Sequence, residues 1–264
     1  MRGRILAIAG SDSGGGAGIQ ADIKAITALD GFAMTAITAL TAQDTCGVHG
    51  VLPVPPDFVT AQMRCVMDDI GVDAFKSGML GHDGVINAVA DMIATRPDVP
   101  YVLDPVMVAK GGASLLHAAA VSALTTRLLP LATLLTPNLP EAEVLLGRPV
   151  RAHGDMRRAA LDLRDMGACA VLLKGGHLPG DELVDVFVDS DGTVESFTST
   201  RVRTAHTHGT GCTLASAIAA GLGQGMALPA AISRARAYLY RAIMAAPGYG
   251  HGAGPVNHAV DITT

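Results

Sequence analysis

Short runs of uninterrupted apolar residues recur along the chain, each closed by glycine or proline, and most are followed by a stretch with helical spacing. ILAIA at 5–9 runs into GSDSGGGAG, after which Ile19, Ile23, Ile26 and Leu29 recur at helical intervals. AMTAITALT at 33–41 reads as another buried strand, and 57–70 as a helix with Phe58, Met63, Val66 and Ile70 on one side. VDAFKSGML at 72–80 reads as strand then loop, and 84–95 as a helix. Pro105 stops the strand in YVLDPVM, Pro137 stops the one in ATLLTPN, and ACAVLLKGG at 168–176 runs into glycines. A strand with one wet face would alternate polar and apolar residues; these do not, so both faces are covered. The pattern predicts an α/β fold: a mostly parallel central sheet with helices on both faces.

Residues 182–202 differ. They alternate with period two around Asp191-Gly192, which predicts an antiparallel edge hairpin. Helices are expected at 211–223 and 228–245. No Pro/Ser-rich linker and no internal repeat divides the chain, so residues 1–264 are expected to form a single domain. Ligands of such sheets bind beyond the C-terminal ends of the strands. The loops at 10–18, 41–47, 76–81, 104–112, 136–141 and 174–180 all follow predicted strands.

Composition excludes several classes. Net charge is −5, aromatics are 3% and tryptophan is absent, so neither a basic footprint nor stacking platforms for nucleic acid are present. The apolar runs near the start and at 212–223 are too short for a signal-peptide core or a membrane span. Cys46, Cys65, Cys169 and Cys212 are far apart, which argues against a zinc knuckle or a disulfide framework. A soluble cytoplasmic protein with reduced thiols is expected.

The stretch HTHGTGCTLASAIAAGL at 206–222 sets a thiol where a glycine loop becomes a helix. Gly209, Thr210 and Gly211 allow close backbone approach, and the free N–H groups of a helix start make an anion site; a plain tight turn is the simpler alternative. AGSDSGGGAGIQAD lacks the spacing of a dinucleotide loop, and no Lys follows a glycine as a Walker A loop requires. Its Ser11, Asp12, Gln20 and Asp22 can line a pocket. TPNLPEAE puts Asn138 and Glu141 three residues apart, where Glu141 either complements a helix dipole or sits near Mg²⁺. Asp104 and Lys174 stand at strand ends, as a loop cap and a snorkelling lysine or as a metal ligand and a phosphate partner. On one rim of a sheet these are the parts for binding a nucleotide phosphate with Mg²⁺.

AGSDSGGGAGIQAD, TALTAQDTCGV, KSGML, LDPVM, TPNLPEAE, KGGH and HTHGTGCTL together resemble, in order and separation, the hydroxymethylpyrimidine/phosphomethylpyrimidine kinases of thiamine biosynthesis. These belong to the ribokinase-like superfamily, and the resemblance reaches GHGAGPVNH near the end of the chain. It implies phosphorylation of 4-amino-5-hydroxymethyl-2-methylpyrimidine and then of its monophosphate, with ATP and Mg²⁺, in a homodimer. It implies that Gln43 reads the pyrimidine edge and that Gly10, Asp22, Met79 and Val106 line the same pocket. Asn138 and Lys174 would approach the ATP phosphates, Glu141 and Asp104 would hold Mg²⁺, and Gly209, Thr210 and Gly211 would form the anion hole.

Sugar kinases of that superfamily carry an aspartate where this chain has Cys212. A carboxylate about 4 Å from a phosphate-bearing substrate would cost roughly 4 kcal/mol per charge pair at an effective dielectric of 20, which a thiol avoids. The helix start can also lower the thiol pKa and keep a thiolate available as base; the alternative is that Cys212 is a small helix-start residue and that Mg²⁺ with the anion hole suffices. Two rivals remain: a pyridoxal kinase on the same fold, and a catalytically silent pyrimidine-binding regulator.

Overall fold

The computed structural model describes residues 3–107 and 118–260. In β1 (Arg4–Asp12), Ile5 and Ala7 join one apolar core while Leu6 and Ile8 join the other, and all four are inaccessible to water. This double burial is why the run carries no polar alternation.

The remaining elements are α1 (Gly18–Ala28), β2 (Phe32–Gln43), β3 (Val48–Pro53), α2 (Pro56–Asp69), β4 (Ala74–Ser77), α3 (Asp83–Ala94) and β5 (Tyr101–Leu103). They continue with α4 (Ala118–Ala123), a π turn and a 3₁₀ turn through Leu131, β6 (Leu134–Leu135), α5 (Leu139–Leu146), α6 (His153–Asp165) and β7 (Val171–Leu173). The chain then forms β8 (Glu182–Val188), β9 (Val194–Thr200), α7 (Thr210–Gly223) and α8 (Leu228–Met244).

Among the described residues one nine-stranded sheet runs in the order β3-β2-β1-β4-β5-β6-β7-β8-β9. The six strands from β2 to β7 are parallel, while β3, β8 and β9 pair antiparallel. The hairpin expected at Asp191-Gly192 is the β8–β9 pair. β3 was not expected: its VHGVLP is almost wholly exposed, so no burial rhythm marks it, and it pairs with β2 along the edge of the sheet.

One core joins α2, α3, α5 and α6 to one face of the sheet. The other joins α1, α7 and α8 to the opposite face. Helix α7 carries only small and apolar residues over Leu214–Gly221 because it is packed on several sides. A β-carbon on Gly221 would stand 2.8 Å from the Ala231 methyl of α8, so glycine there permits the close helix approach.

The order of the strands, not their direction, reverses between β1 and β4: β2 is added on one side of β1 and β4 on the other, and α1 leaves β1 on one face while α3 leaves β4 on the other. Such a switch point opens a crevice beyond the strand ends. The 104–112 loop is described only to Met107, the rest of it lying outside the described residues. Among the described residues no helix is long and apolar enough to cross a membrane.

Candidate active site

A cleft of about 1640 Å³ lies along the C-terminal rim of the parallel strands. It exceeds the volume typical of a single small-molecule site and can take a nucleotide and a small ring together. Gly10, Gln43, Met79 and Val106 line one end, and Asp104, Asn138, Glu141 and Lys174 line its middle with Gly209, Thr210, Gly211 and Cys212. Fourteen of the sixteen residues expected from the sequence, Ser11 and Asp12 included, therefore line one space; Gln20 is set aside to brace the loop, its carboxamide accepting from the Asp12 amide and donating to Ser11 Oγ.

Asp22 does not line that space either. It sits in α1 with no exposure, where Oδ1 accepts from Lys76 Nζ at 2.8 Å and from Ser216 Oγ at 2.7 Å. The expectation that it lines the pocket is corrected: α1 turns this position inward, onto a lysine that needs a buried counter-charge. Burial penalises the Asp22 charge most and leaves its pKa above the ordinary value despite Lys76. Burial opposes the Lys76 charge too, but Asp22, Cys212 and Asp104 hold its pKa above normal.

Helix α7 begins without a side-chain cap and without an acidic residue in its first turn. Its N-cap, Gly209, has φ 77°, and a β-carbon there would lie 1.8 Å from the Gly16 carbonyl oxygen. The uncapped amides of the first turn open onto the cleft, which is how a helix presents an anion site. At Gly211 a β-carbon would stand 3.5 Å from Lys174 Nζ and 3.7 Å from Asp104 Oδ2. A cation and a carboxylate thus flank the helix start.

Lys174 Nζ donates to Asp104 Oδ1 at 3.1 Å, and Asp104 is 2% exposed. Burial works against the lysine charge, but Asp104 and Glu141 outweigh it and raise the Lys174 pKa. Glu141 belongs to the capping box of α5: its Oε2 accepts from the Asn138 amide at 2.8 Å, and its own N–H donates to Asn138 Oδ1 at 2.9 Å. Burial first, and Asp104 further, push the Glu141 carboxyl up to about 7, against the pull of Lys174. Capping uses the Asn138 carbonyl oxygen and leaves its NH₂ group as what it offers the cleft.

Asp104 and Glu141 are hard oxygen donors beside an anion site, which fits Mg²⁺ shared with phosphates rather than a cage of protein ligands. Among the described residues no three His, Cys, Asp or Glu side chains cluster tightly enough to hold a metal alone.

Of the roles open to the thiol, the thiolate base is the one its surroundings oppose. Burial pushes Cys212 up to about 11, with Asp22 and Asp104 adding to the effect, although Lys76 and the Gly18 amide oppose it. At neutral pH it is a thiol rather than the thiolate that a helix start can favour, because loss of water outweighs the helix end.

Sequence reasoning missed several side chains. His208 Nε2 lies 2.8 Å from Asp12 Oδ2 and 3.3 Å from a terminal atom of the Gln43 amide. The sequence marks Asp12 only as a polar lining group and gives His208 no role. Arg236 of α8 pairs with Asp185 of β8, closing the far end of the cleft. No spacing signal marks such pairs, since they join segments distant in sequence.

The family model for phosphomethylpyrimidine kinase matches residues 12–257. The "Thiamine biosynthesis bifunctional protein ThiED" of Geobacter sulfurreducens is 51% identical over 97% of this chain, which spans 52% of that longer protein. A hydroxymethylpyrimidine/phosphomethylpyrimidine kinase of Streptomyces coelicolor is 48% identical, covering 96% of this chain and 93% of its own. Among solved structures, Bacillus subtilis pyridoxal kinase in an ADP complex superposes with a TM-score of 0.90 at 37% identity, over 98% of both chains.

Proposed function

The chain belongs to the phosphomethylpyrimidine kinase family, and from that premise we propose that it transfers the γ-phosphoryl group of ATP to 4-amino-5-hydroxymethyl-2-methylpyrimidine and then to its monophosphate. One observation carries the reading: the uncapped start of α7, the Lys174 ammonium and the Asp104 carboxylate converge at Gly211 on the wall of one large cleft.

Phosphoryl transfer passes through a loose transition state whose charge spreads over the transferred oxygens, so positioning and neutralisation do most of the work. The amides of Gly209, Thr210 and Gly211 bind the migrating group. Lys174 neutralises it from the side, held by Asp104, and the Asn138 NH₂ steadies the nucleotide phosphates. Asp104 and Glu141 would hold Mg²⁺, which when bound supplies further charge neutralisation on those phosphates. Gly10, Gln43, Met79 and Val106 hold the ring so that its alcohol points at the α7 start.

Cys212 meets that alcohol as an uncharged group. A neutral thiol admits both the alcohol and its phosphate ester, where a carboxylate would repel the second. The loose transition state leaves the alcohol oxygen little charged until late, so a strong base is not needed.

Residues 1–264 act as a single kinase domain in this reading. Two copies pair through the exposed strand β3 and its surroundings, where Leu40, Val51, Leu52 and Phe58 leave apolar surface uncovered. A cytoplasmic setting with reduced cysteines accords with the composition.

The test is an ATP-consumption assay with the pyrimidine alcohol that resolves mono- and diphosphate products. Formation of both upholds the reading, and no ATP-dependent product ends it. Pyridoxal kinase activity is the second reading, favoured by the superposition on the Bacillus subtilis enzyme. Turnover of the two alcohols at matched concentration separates them.

A further inference from the structure

Asp12 and His208, 196 residues apart, form a buried pair beside Gln43 whose protons can be counted. Asp12 Oδ1 accepts from the Gly14 amide at 2.8 Å, and Oδ2 accepts from the amides of Ala17 and Gly16 at 2.8 and 3.1 Å. Burial works against ionisation, but the hydrogen bonds from His208 and the loop amides outweigh it and hold the carboxyl below its ordinary value. A lone pair on His208 Nε2 facing that carboxylate at 2.8 Å would be repelled, so Nε2 carries the proton.

The Gln43 amide stands with Nε2 3.3 Å from the same His208 Nε2 and Oε1 3.0 Å from Thr41 Oγ1, and the two ends of a carboxamide are exchanged by a simple flip, so the proton count decides which atom is which. A protonated Nε2 has no lone pair to offer, so the atom beside it is the carbonyl oxygen. The Thr41 hydroxyl has a single proton and two acceptors in range, the Ser11 carbonyl at 2.9 Å and Gln43 Oε1 at 3.0 Å; with the amide turned over, the proton goes to Ser11. Thr41 Oγ1 therefore accepts, and the atom facing it is the amide nitrogen. The count at His208 sets the orientation, and the Thr41 end accommodates it because its proton has the Ser11 carbonyl to go to.

We propose that His208, anchored by Asp12, is a positioning residue that fixes the Gln43 carboxamide with its carbonyl toward His208 and its NH₂ toward Thr41, and so selects rings by the order of donor and acceptor along their edge. The amide retains one N–H and one carbonyl lone pair for a ligand. Turning it over would exchange the two, and the ring accepted would have the opposite edge. A 4-aminopyrimidine presents an amino donor next to a ring-nitrogen acceptor. Its 4-oxo counterpart presents a carbonyl acceptor next to a ring N–H donor. A locked amide reads the first and rejects the second, while a free amide rotates to suit either. The proposal rests on the reading that the ring docks at Gln43.

Two measurements test it. The first is long-range ¹H–¹⁵N NMR of the wild-type protein without ligand at neutral pH. A protonated Nε2 on His208 is expected, and an unprotonated Nε2 would overturn the proposal. The second compares the 4-amino and 4-oxo alcohols as substrates for wild type, His208→Leu and His208→Gln. A fixed hydrogen-bonding site is expected to favour the amino compound by about 100-fold or more in kcat/KM. In His208→Leu the ratio should fall to within about tenfold, and His208→Gln, which retains an N–H donor, should restore most of it. Parallel loss on both alcohols with the ratio intact would assign His208 a merely structural role and sink the idea. Should the wild type phosphorylate neither alcohol, the substrate reading fails, and the spectrum alone upholds or overturns the proton order.

Discussion

Gly211 and Lys174 meet at the start of α7: a β-carbon on the glycine would stand 3.5 Å from the lysine ammonium, an ordinary contact distance. Nothing in the fold forbids alanine there, whereas Gly209, two residues earlier, would drive a β-carbon to 1.8 Å from the Gly16 carbonyl oxygen at a φ of 77°. Neighbouring glycines of one loop thus serve different ends, one leaving room for a ligand and the other letting two loops touch.

Substitution separates these roles. Gly211→Ala should unfold within about 0.5 kcal/mol of wild type, because it meets no clash. It should still lose about tenfold or more in kcat/KM, because the methyl occupies the phosphoryl position. Gly209→Ala should lose about 2 kcal/mol or more of stability through backbone strain and the clash with Gly16. Denaturant unfolding with steady-state kinetics checks both, and equal destabilisation would refute the division.

Cys212 should alkylate slowly near neutrality. With its thiol pushed up to about 11 by burial, the thiolate is scarce at pH 8 and grows about tenfold per pH unit until that value. Peptide-resolved mass spectrometry after iodoacetamide treatment distinguishes it from the exposed Cys46, Cys65 and Cys169. A Cys212 rate that levels off near pH 7 would show a thiolate after all.

Cys212→Ser and Cys212→Asp probe the charge argument on the two substrates. The serine variant should slow both phosphorylations alike. The aspartate variant should lose more on the monophosphate, by up to about 10³-fold if a charge pair near 4 Å costs about 4 kcal/mol. Equal losses in product-resolved kinetics would remove charge avoidance as the reason for the thiol.

Asp22→Asn tests whether the Asp22 carboxylate serves Lys76 or the cleft. It leaves the fully buried Lys76 without its counter-charge and should destabilise the protein by about 3–5 kcal/mol. Enzyme that remains folded should keep its KM for the pyrimidine alcohol, since Asp22 lies outside the cleft. A KM raised tenfold with stability unchanged would return Asp22 to the pocket wall.

His258 makes stability depend on acid. It is buried against Thr213 Oγ1 at 2.9 Å, and burial, with Lys24 adding, lowers its pKa to about 4. The unfolded chain takes up the proton near pH 6.5, before the folded one, so stability falls as pH drops from about 6.5 to about 4. The full effect is about 3 kcal/mol. In His258→Gln, urea unfolding at pH 7 and pH 4 should differ by about 3 kcal/mol less than in wild type, and an unchanged difference would refute the assignment.

What the sequence by itself determined was the scaffold and the rim. Apolar runs such as 5–9 and 171–173 disclose double burial, and double burial requires a sheet covered on both faces. Glycine and proline mark where those strands end, which is where the cleft opens, so Asn138, Lys174 and Gly211 could be assigned to one space from local pattern alone. The tertiary structure decided who pairs with whom. It turned Asp22 inward onto Lys76, joined Asp12 to His208, laid exposed β3 along the sheet edge and kept the Cys212 proton in place. Periodicity records only how often a residue is buried along its own element. Charge state and hydrogen-bond partners depend on groups brought close through space and on the water they exclude, and no sequence spacing encodes either.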